Sequence, residues 1–400
     1  MATGSHRQAV VAGAGIGGLI AALHLARAGF DVTVHERSPV LEEFGAGLQL
    51  SPNASRILGQ FDIVDTLDGL ALEPEALVVR RARDGNELLR MELGETARRR
   101  WGAPYLVAHR GDLLRALLDR VAQEPAISIV LDSQVRGFAV DADERVRIGL
   151  KRGYVSLEVG ADLLVGADGL RSAVRDRLGL GGPKDIVFSG NVAWRALIDA
   201  ARLPPSLRRR ETHLWLGPRA HLVHYPLRGG TVINAVLVVE DHRRDALKDA
   251  GWNNPGDPSV IGFEVADWAP EIREMIAAAE DWRGWPLFDR PPSPRWSSGP
   301  VTLLGDAAHP MAPFLAQGAA QAIEDAQALA VSLATHERIP EALQAYERAR
   351  APRAGRVQTE ARKQAGFYHV RGAVAFARDL GLRVMGPNRM AARYDWLYGA

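Results

Sequence analysis

Hydrophobic positions along this chain fall into three short unbroken runs, a central stretch of alternation and a helical tail. Residues 8–12 (Gln-Ala-Val-Val-Ala) form the first run and predict a buried parallel strand. A glycine-rich turn follows. Leu19 to Ala28 then reads as helix, stopped by Gly29, and Asp31 to Glu36 as a second strand with Val32 and Val34 on one face. Together they form a βαβ unit. Asp162 to Ala167 and Val301 to Leu304 are the other two buried runs, the first leading into a short helix from Arg171 to Leu178. Segments 76–83 and 87–93 predict a hairpin around Asp84-Gly85. Gly111 to Val121 is an amphipathic helix, with strand-like runs after it between 127 and 159. From 186 to 239 the pattern alternates, in runs 211–216, 220–227 and 231–239, which predicts antiparallel sheet. Helices are expected near 270–279 and 318–335. The last sixty residues read as helical, with breaks at Pro352 and near Gly386-Pro387. The fold class is α/β: a Rossmann-like domain interleaved with a mixed-sheet domain, and a helical C-terminus.

Composition narrows the partners. The chain has 400 residues, 47% of them hydrophobic, which suits two intertwined folded domains. A formal charge of +1 gives no general attraction for nucleic acid or an anionic membrane. Three arginine clusters, at 80–83, 98–100 and 208–210, read either as solvated surface or as attraction for a phosphate-bearing cofactor. There is no cysteine, so disulfides, thiolate zinc sites and a cysteinyl flavin link are excluded; a reducing cytoplasm suits such a chain, and no metal ligand set is expected. The uncharged run from Ala9 to Leu23 resembles a signal segment only until its glycine spacing is read, and no other run would span a bilayer.

That spacing is Gly13-Ala14-Gly15-Ile16-Gly17-Gly18, a GxGxxG between strand and helix. Gly13 allows the tight turn, Gly15 lets backbone approach a pyrophosphate, and Gly18 lets helix and strand pack closely. Glu36, ending the second strand, can accept hydrogen bonds from an adenosine ribose and would repel a 2′-phosphate. The motif binds a dinucleotide but does not separate FAD from NAD. Gly166-Ala167-Asp168-Gly169 closes another strand; Asp168 and Gly169 lie either beside a cofactor or at a capped helix start. Gly305-Asp306, followed by Pro313 and Gln317-Gly318-Ala319, closes the third. There a carboxylate can meet sugar-like hydroxyls, and the Gly318 helix start can meet a polar ring edge. Three strand ends would line one long ligand, whereas NAD needs only the first.

With these motifs in this order the sequence resembles the class A FAD-dependent aromatic hydroxylases, whose prototype has the para-hydroxybenzoate hydroxylase fold. The resemblance runs from about Ala9 to Tyr398 and includes Arg37 beside Glu36 and Arg110 in Ala-His-Arg-Gly-Asp-Leu-Leu. Gly45 to Asn53, His221 to Gly230 and Asp395-Trp396-Leu397-Tyr398 resemble the branch of 3-hydroxybenzoate 6-hydroxylase, salicylate hydroxylase and 6-hydroxynicotinate 3-monooxygenase. The resemblance implies FAD contacts at Gly13, Gly15, Gly18, Glu36, Arg37, Gly47, Arg110, Asp168, Gly169, Asp306, Pro313, Gln317, Gly318 and Ala319. It implies a discontinuous FAD domain (1–70, 98–185 and 285–345), a substrate domain (71–97 and 186–284) and a C-terminal helical segment (346–400). The implied reaction is hydroxylation of a phenolic or other electron-rich ring with NAD(P)H and O2 through a C4a-hydroperoxyflavin. NADH or NADPH would bind transiently, since no second GxGxxG follows a strand. A homodimer is compatible with it.

Alternation along 220–227 puts His221, Val223 and Tyr225 on one face and His224 on the other. His221 and Tyr225 would stand about 13 Å apart along the strand, far enough to flank one ring. The resemblance makes His221 the group that binds or activates the phenol and Tyr225 a substrate contact; the plain alternative is two satisfied sheet residues. Gln49 and Phe314 are candidate pocket residues, with Phe314 as simple packing equally open, and His309 reads as structural. No arginine declares itself as a carboxylate ligand, Arg195 being a guess. The rivals are a related FAD oxidoreductase acting on a prenylated phenol or quinone precursor, and a non-catalytic flavin-binding sensor. A halogenase is disfavoured because Trp-x-Trp-x-Ile is absent.

Overall fold

The computed structural model describes residues 7–41, 47–241, 254–255 and 258–399. Gly45 and Ala46 therefore lie outside the described residues. The chain divides by internal packing into two units. One comprises 1–43, 113–187 and 288–361; the other comprises 44–112, 188–287 and 362–400. The unit boundaries differ from those expected above: 44–70 and 98–112 go with the second unit, and the C-terminal region divides after Ala361.

In the first unit, a six-stranded sheet runs in the order Ser297–Ser298, Val301–Leu303, Leu163–Gly166, Arg7–Ala12, Phe30–His35, Ile127–Val130. All its pairs are parallel except the edge pair Ser297–Ser298 with Val301–Leu303. The three unbroken apolar runs are thus three adjacent strands, Leu163–Gly166 lying between Arg7–Ala12 and Val301–Leu303. Their side chains are buried on both faces, which is why they do not alternate. Of the strand-like runs between 127 and 159, Ile127–Val130 edges the six-stranded sheet, and the rest form a three-stranded antiparallel sheet (Ser133–Val140, Val146–Arg152, Val155–Ala161). The first helix is Ile16–Arg27, starting earlier than the Leu19 expected from apolar periodicity. Gly17 and Gly18 hid its first turn: a β-carbon on Gly17 would fall 2.9 Å from Cδ2 of Leu304, and one on Gly18 1.9 Å from the Gly13 carbonyl oxygen.

The second unit is built on an eight-stranded sheet, ordered Asn254–Pro255, Arg283–Asp289, Val187–Asp199, Val232–Glu240, Ala220–Leu227, Glu211–Gly217, Ala76–Arg81, Glu87–Glu92. The Asp84-Gly85 hairpin is present. One face of this sheet packs Leu222, Ile233, Ala235 and Leu237 against Ile272, Met275, Ile276 and Trp282. Gly47–Leu50 pairs separately with Leu106–His109.

Two expected helix breaks part company. Gly386, at φ 71° and ψ 167°, does kink the Gly372–Ala392 helix. Pro352 does not break its helix, which runs unbroken from Ile339 to Tyr368. Pro352 and Arg348, whose carbonyl loses its partner, are both exposed, so water can take that carbonyl. Buried Ala351, Ala354, Val357 and Ala361 hold the other side. Among the described residues no helix is long and apolar enough to cross a membrane.

Candidate active site

The first unit carries a cradle of backbone. Gly13 has φ +102°, and a β-carbon there would lie 2.6 Å from the Ala167 carbonyl oxygen, so only glycine fits. Nothing lies within 4 Å of where a β-carbon on Gly15 would be, which leaves its backbone approachable. The Glu36 carboxylate accepts from the backbone N–H of Ala14 and of Ser38, each at 2.9 Å. That fixes it at the strand end with lone pairs to spare for hydroxyl donors. Asp168 splits its roles. Oδ2 accepts from Ala173 N–H at 2.7 Å, capping the short helix, while Oδ1 is buried with no hydrogen-bond partner. Both readings of Asp168 thus have a physical basis, and burial raises its pKa. An orphaned buried acceptor, an open glycine backbone and a held carboxylate together fit a dinucleotide's hydroxyls and phosphates.

The third strand end is held from beneath. Asp325, fully buried, accepts from Gly305 N–H at 3.0 Å, meets His309 Nε2 at 2.5 Å and binds Arg350 Nε at 2.7 Å. Burial opposes its charge, but His309 and Arg350 prevail and draw its pKa down to about 2. Arg175 donates to the Ala307 and Ala308 carbonyls at 3.0 and 2.8 Å, and Gln358 to that of Pro310 at 2.7 Å. Above this base the Pro313–Leu315 turn ends at Ala316 in the left-handed region, φ +51°, just before the Gly318–Thr335 helix. Asp306 is exposed, with Oδ1 4.0 Å from where a β-carbon on Gly318 would be. Phe314 is buried.

In the second unit, strand Ala220–Leu227 turns His224 to one side, where it stacks on His213 at 4.6 Å. His221 meets other partners: its ring lies 5.0 Å from that of Tyr368, and its Nδ1 is 2.8 Å from Nε2 of His369. Tyr225 is hydrogen-bonded to Gln49, which also accepts from Tyr105 at 2.5 Å. Tyr398 adds its edge to Tyr105 at 6.0 Å and stacks on Tyr394 at 5.1 Å. Five of the seven tyrosines therefore gather here, with burial raising every phenol's pKa and keeping it protonated. Burial has the opposite sign for His221, which is held neutral, with His369 adding to the effect.

Arg195 belongs to the same region. Its guanidinium lies 3.7 Å over the Trp285 ring, and burial first, then the charge of Arg110, lowers its pKa to about 10 against the pull of Tyr225. Nε is buried and unpartnered, and among the described residues no carboxylate pairs with it. The side chain keeps partial solvent exposure, so it is enclosed by protein yet reachable. Some cluster arginines are committed to carboxylates: Arg98 forks onto Glu73, Arg100 onto Asp395, and Arg81 pairs with Asp84.

Tyr105, Tyr368, Tyr394, His369 and Glu240 were not singled out from the sequence. They are spread from 105 to 394 with no local spacing, and only the count of tyrosines could have hinted at them. Among the described residues no cluster of His, Asp or Glu could hold a metal ion.

The profile of a family described as an FAD binding domain matches residues 6–361. The chain belongs to this family. Among the relatives of this flavoprotein, 3-hydroxybenzoate 6-hydroxylase of Polaromonas naphthalenivorans (strain CJ2) is 35% identical, over 98% of this chain and 95% of its own. A 3-amino-4-hydroxybenzoate 2-monooxygenase of Streptomyces platensis is 37% identical, over 99% and 96%. The structure of Klebsiella pneumoniae HpxO complexed with FAD and uric acid superposes with a TM-score of 0.85 at 25% identity, covering 98% of this chain and 97% of that one.

Proposed function

We propose that this flavoprotein is a monooxygenase that hydroxylates a phenolic or other electron-rich aromatic ring with NADH or NADPH and O2. The observation that most supports the reading is the strand that bears His221 and Tyr225 amid tyrosines, with an Arg195 guanidinium that no carboxylate among the described residues neutralises. A flat ring carrying negative charge suits such surroundings. Arg195 would take a carboxylate or phenolate, and the tyrosines would supply hydroxyl donors and ring faces. Tyr225 stays protonated and so donates; His221, kept neutral, is the group able to accept a phenolic proton. Losing that proton makes the ring a better nucleophile.

FAD, when bound, supplies the redox chemistry with O2. The chain's part is to hold it. Gly13, Gly15 and Gly18 would seat the pyrophosphate and Glu36 the ribose, with Arg37, Gly47 and Arg110 as further contacts. Asp168 would use its spare oxygen, with Gly169 alongside. Asp306 would meet hydroxyls, and Pro313, Gln317, Gly318 and Ala319 the ring edge.

The test is oxygen-dependent oxidation of NADH and NADPH by the FAD-loaded protein across a phenol panel that includes 3-hydroxybenzoate and 3-amino-4-hydroxybenzoate. Stimulation by one phenol, with a hydroxylated product in proportion, is the expected result. Bound flavin with no stimulated oxidation would favour a sensor instead. His221→Ala should keep FAD and slow hydroxylation about a hundredfold. Asp306→Ala should weaken FAD retention.

A further inference from the structure

Asp395–Tyr398 is a single helical turn, closed where Gly399 N–H meets the Asp395 carbonyl at 2.9 Å. Both of its ends are tied down. The Asp395 carboxylate accepts a fork from Arg100, at 2.7 Å on each oxygen, and the Trp101 indole N–H at 2.9 Å. Arg56 donates to the carbonyls of Trp101 and Tyr398 at 2.8 and 3.0 Å. Asp395 and Arg100 lie near the surface, with side chains 47% and 34% exposed, so their pairing adds little to stability. What it fixes is a ring. Tyr398, three residues on and buried, packs edge-on with Trp101 at 5.0 Å and with Tyr105 at 6.0 Å.

Tyr105 is the next link. Its hydroxyl donates to Oε1 of Gln49 at 2.5 Å. That leaves the Gln49 NH2, a pure donor, for Tyr225. The acidity of Tyr225 has the matching sign. Burial raises its pKa, whereas Arg195 and the Gln49 bond pull it down, as a bond accepted by a phenol oxygen does. A phenol oxygen that accepts still has its own O–H to give.

We infer that the Asp395–Tyr398 turn is a clasp that aims the Tyr225 hydroxyl at the bound ring. Asp395 and Arg56 hold Tyr398, and Tyr398 backs Tyr105. Tyr105 and Gln49 then leave the Tyr225 proton for an acceptor oxygen on that ring. Asp395, Tyr398, Tyr105 and Gln49 are positioning residues that act through Tyr225. The site therefore prefers a phenolate to the phenol it comes from, because a charged oxygen takes a donated hydrogen bond more strongly. The inference rests on the hydroxylase reading for the ring itself.

The test titrates FAD-loaded protein with 4-nitrophenol, whose absorbance separates phenolate from phenol, and takes the ratio of the two affinities. A merely structural loss weakens both forms and leaves that ratio where it was. The parent should favour the phenolate. Tyr225→Phe should lower the ratio about tenfold or more, and Gln49→Met about threefold. Were Tyr225 to donate to Gln49 instead, Gln49→Met would free its proton and raise the ratio; a rise or no change overturns the inference. Asp395→Ala should lower the ratio about threefold with little change in melting temperature. Asp395→Asn, whose amide oxygen still accepts from Trp101, should stay near the parent. A parent that binds no 4-nitrophenol or favours the phenol, or an Asp395→Ala protein with the parental ratio, would equally overturn it. Phenolate preference without phenol-stimulated NAD(P)H oxidation defeats the hydroxylase reading and leaves the clasp standing.

Discussion

Gly47 and Tyr225 compete for the same space. A β-carbon on Gly47 would lie 2.7 Å from both Cε2 and Oη of Tyr225, and 2.7 Å from Cγ of Asn234, which also accepts the Gly47 N–H at 2.8 Å. The glycine is therefore explained by the side chains it admits, whatever else its backbone approaches. Gly47→Ala should displace the Tyr225 ring and cost about 1–3 kcal/mol of stability through overpacking. Thermal denaturation reads the cost. Phenol titration of the FAD-loaded variant should show binding weakened more than FAD retention.

Arg195 is an enclosed cation with no acidic partner among the described residues, and such a charge is held at a cost to the fold. Arg195→Met keeps the bulk over Trp285 and should leave the melting temperature unchanged or raise it. The same variant should bind a carboxylated phenol at least about tenfold less tightly, a charge-assisted hydrogen bond being worth about 1.5–3 kcal/mol. A stable variant with undiminished affinity would take Arg195 out of substrate recognition.

Asp325 holds Gly305, His309 and Arg350 together. Asp325→Asn removes one of the two carboxylates that pair with buried Arg350, leaving Glu324, and takes the charge away from His309 as well; a loss of about 3–5 kcal/mol is expected. Chemical denaturation measures it. Because the Gly305 loop rests on this carboxylate, FAD release from the variant should also quicken.

His24 gives the molecule an acid-sensitive point. Burial, and secondarily Arg27, lowers its pKa from 6.5 to about 4 in the folded chain. The unfolded chain binds the proton first, so this contribution is whole above pH 6.5 and fades as pH falls toward 4. The shift corresponds to roughly 3 kcal/mol. His24→Leu should flatten that part of the stability curve relative to the parent, as read by denaturation at pH 7, 5.5 and 4.5.

Much of the first unit was legible because its instructions are local. A tight turn, a close approach and a strand end each require particular residues within a few positions, so Gly13–Gly18, Glu36, Asp168 and Asp306 announce themselves by spacing. The start of the first helix was misplaced because glycines needed for packing mask its periodicity, and Pro352 was misread because its solvent-facing position cannot be seen in one dimension.

By itself, then, the chain's order of residues determined the parallel sheet, the dinucleotide cradle and the alternation that separates His221 from His224. Tertiary structure alone decided that five tyrosines converge, that Arg195 is enclosed with no counter-ion among the described residues, and that His221 meets His369, 148 positions away. Those are matters of burial and of pairing across the fold. Spacing along a strand or helix carries information only over the few residues that share a face, whereas charge, protonation and orientation depend on whatever the rest of the chain brings alongside.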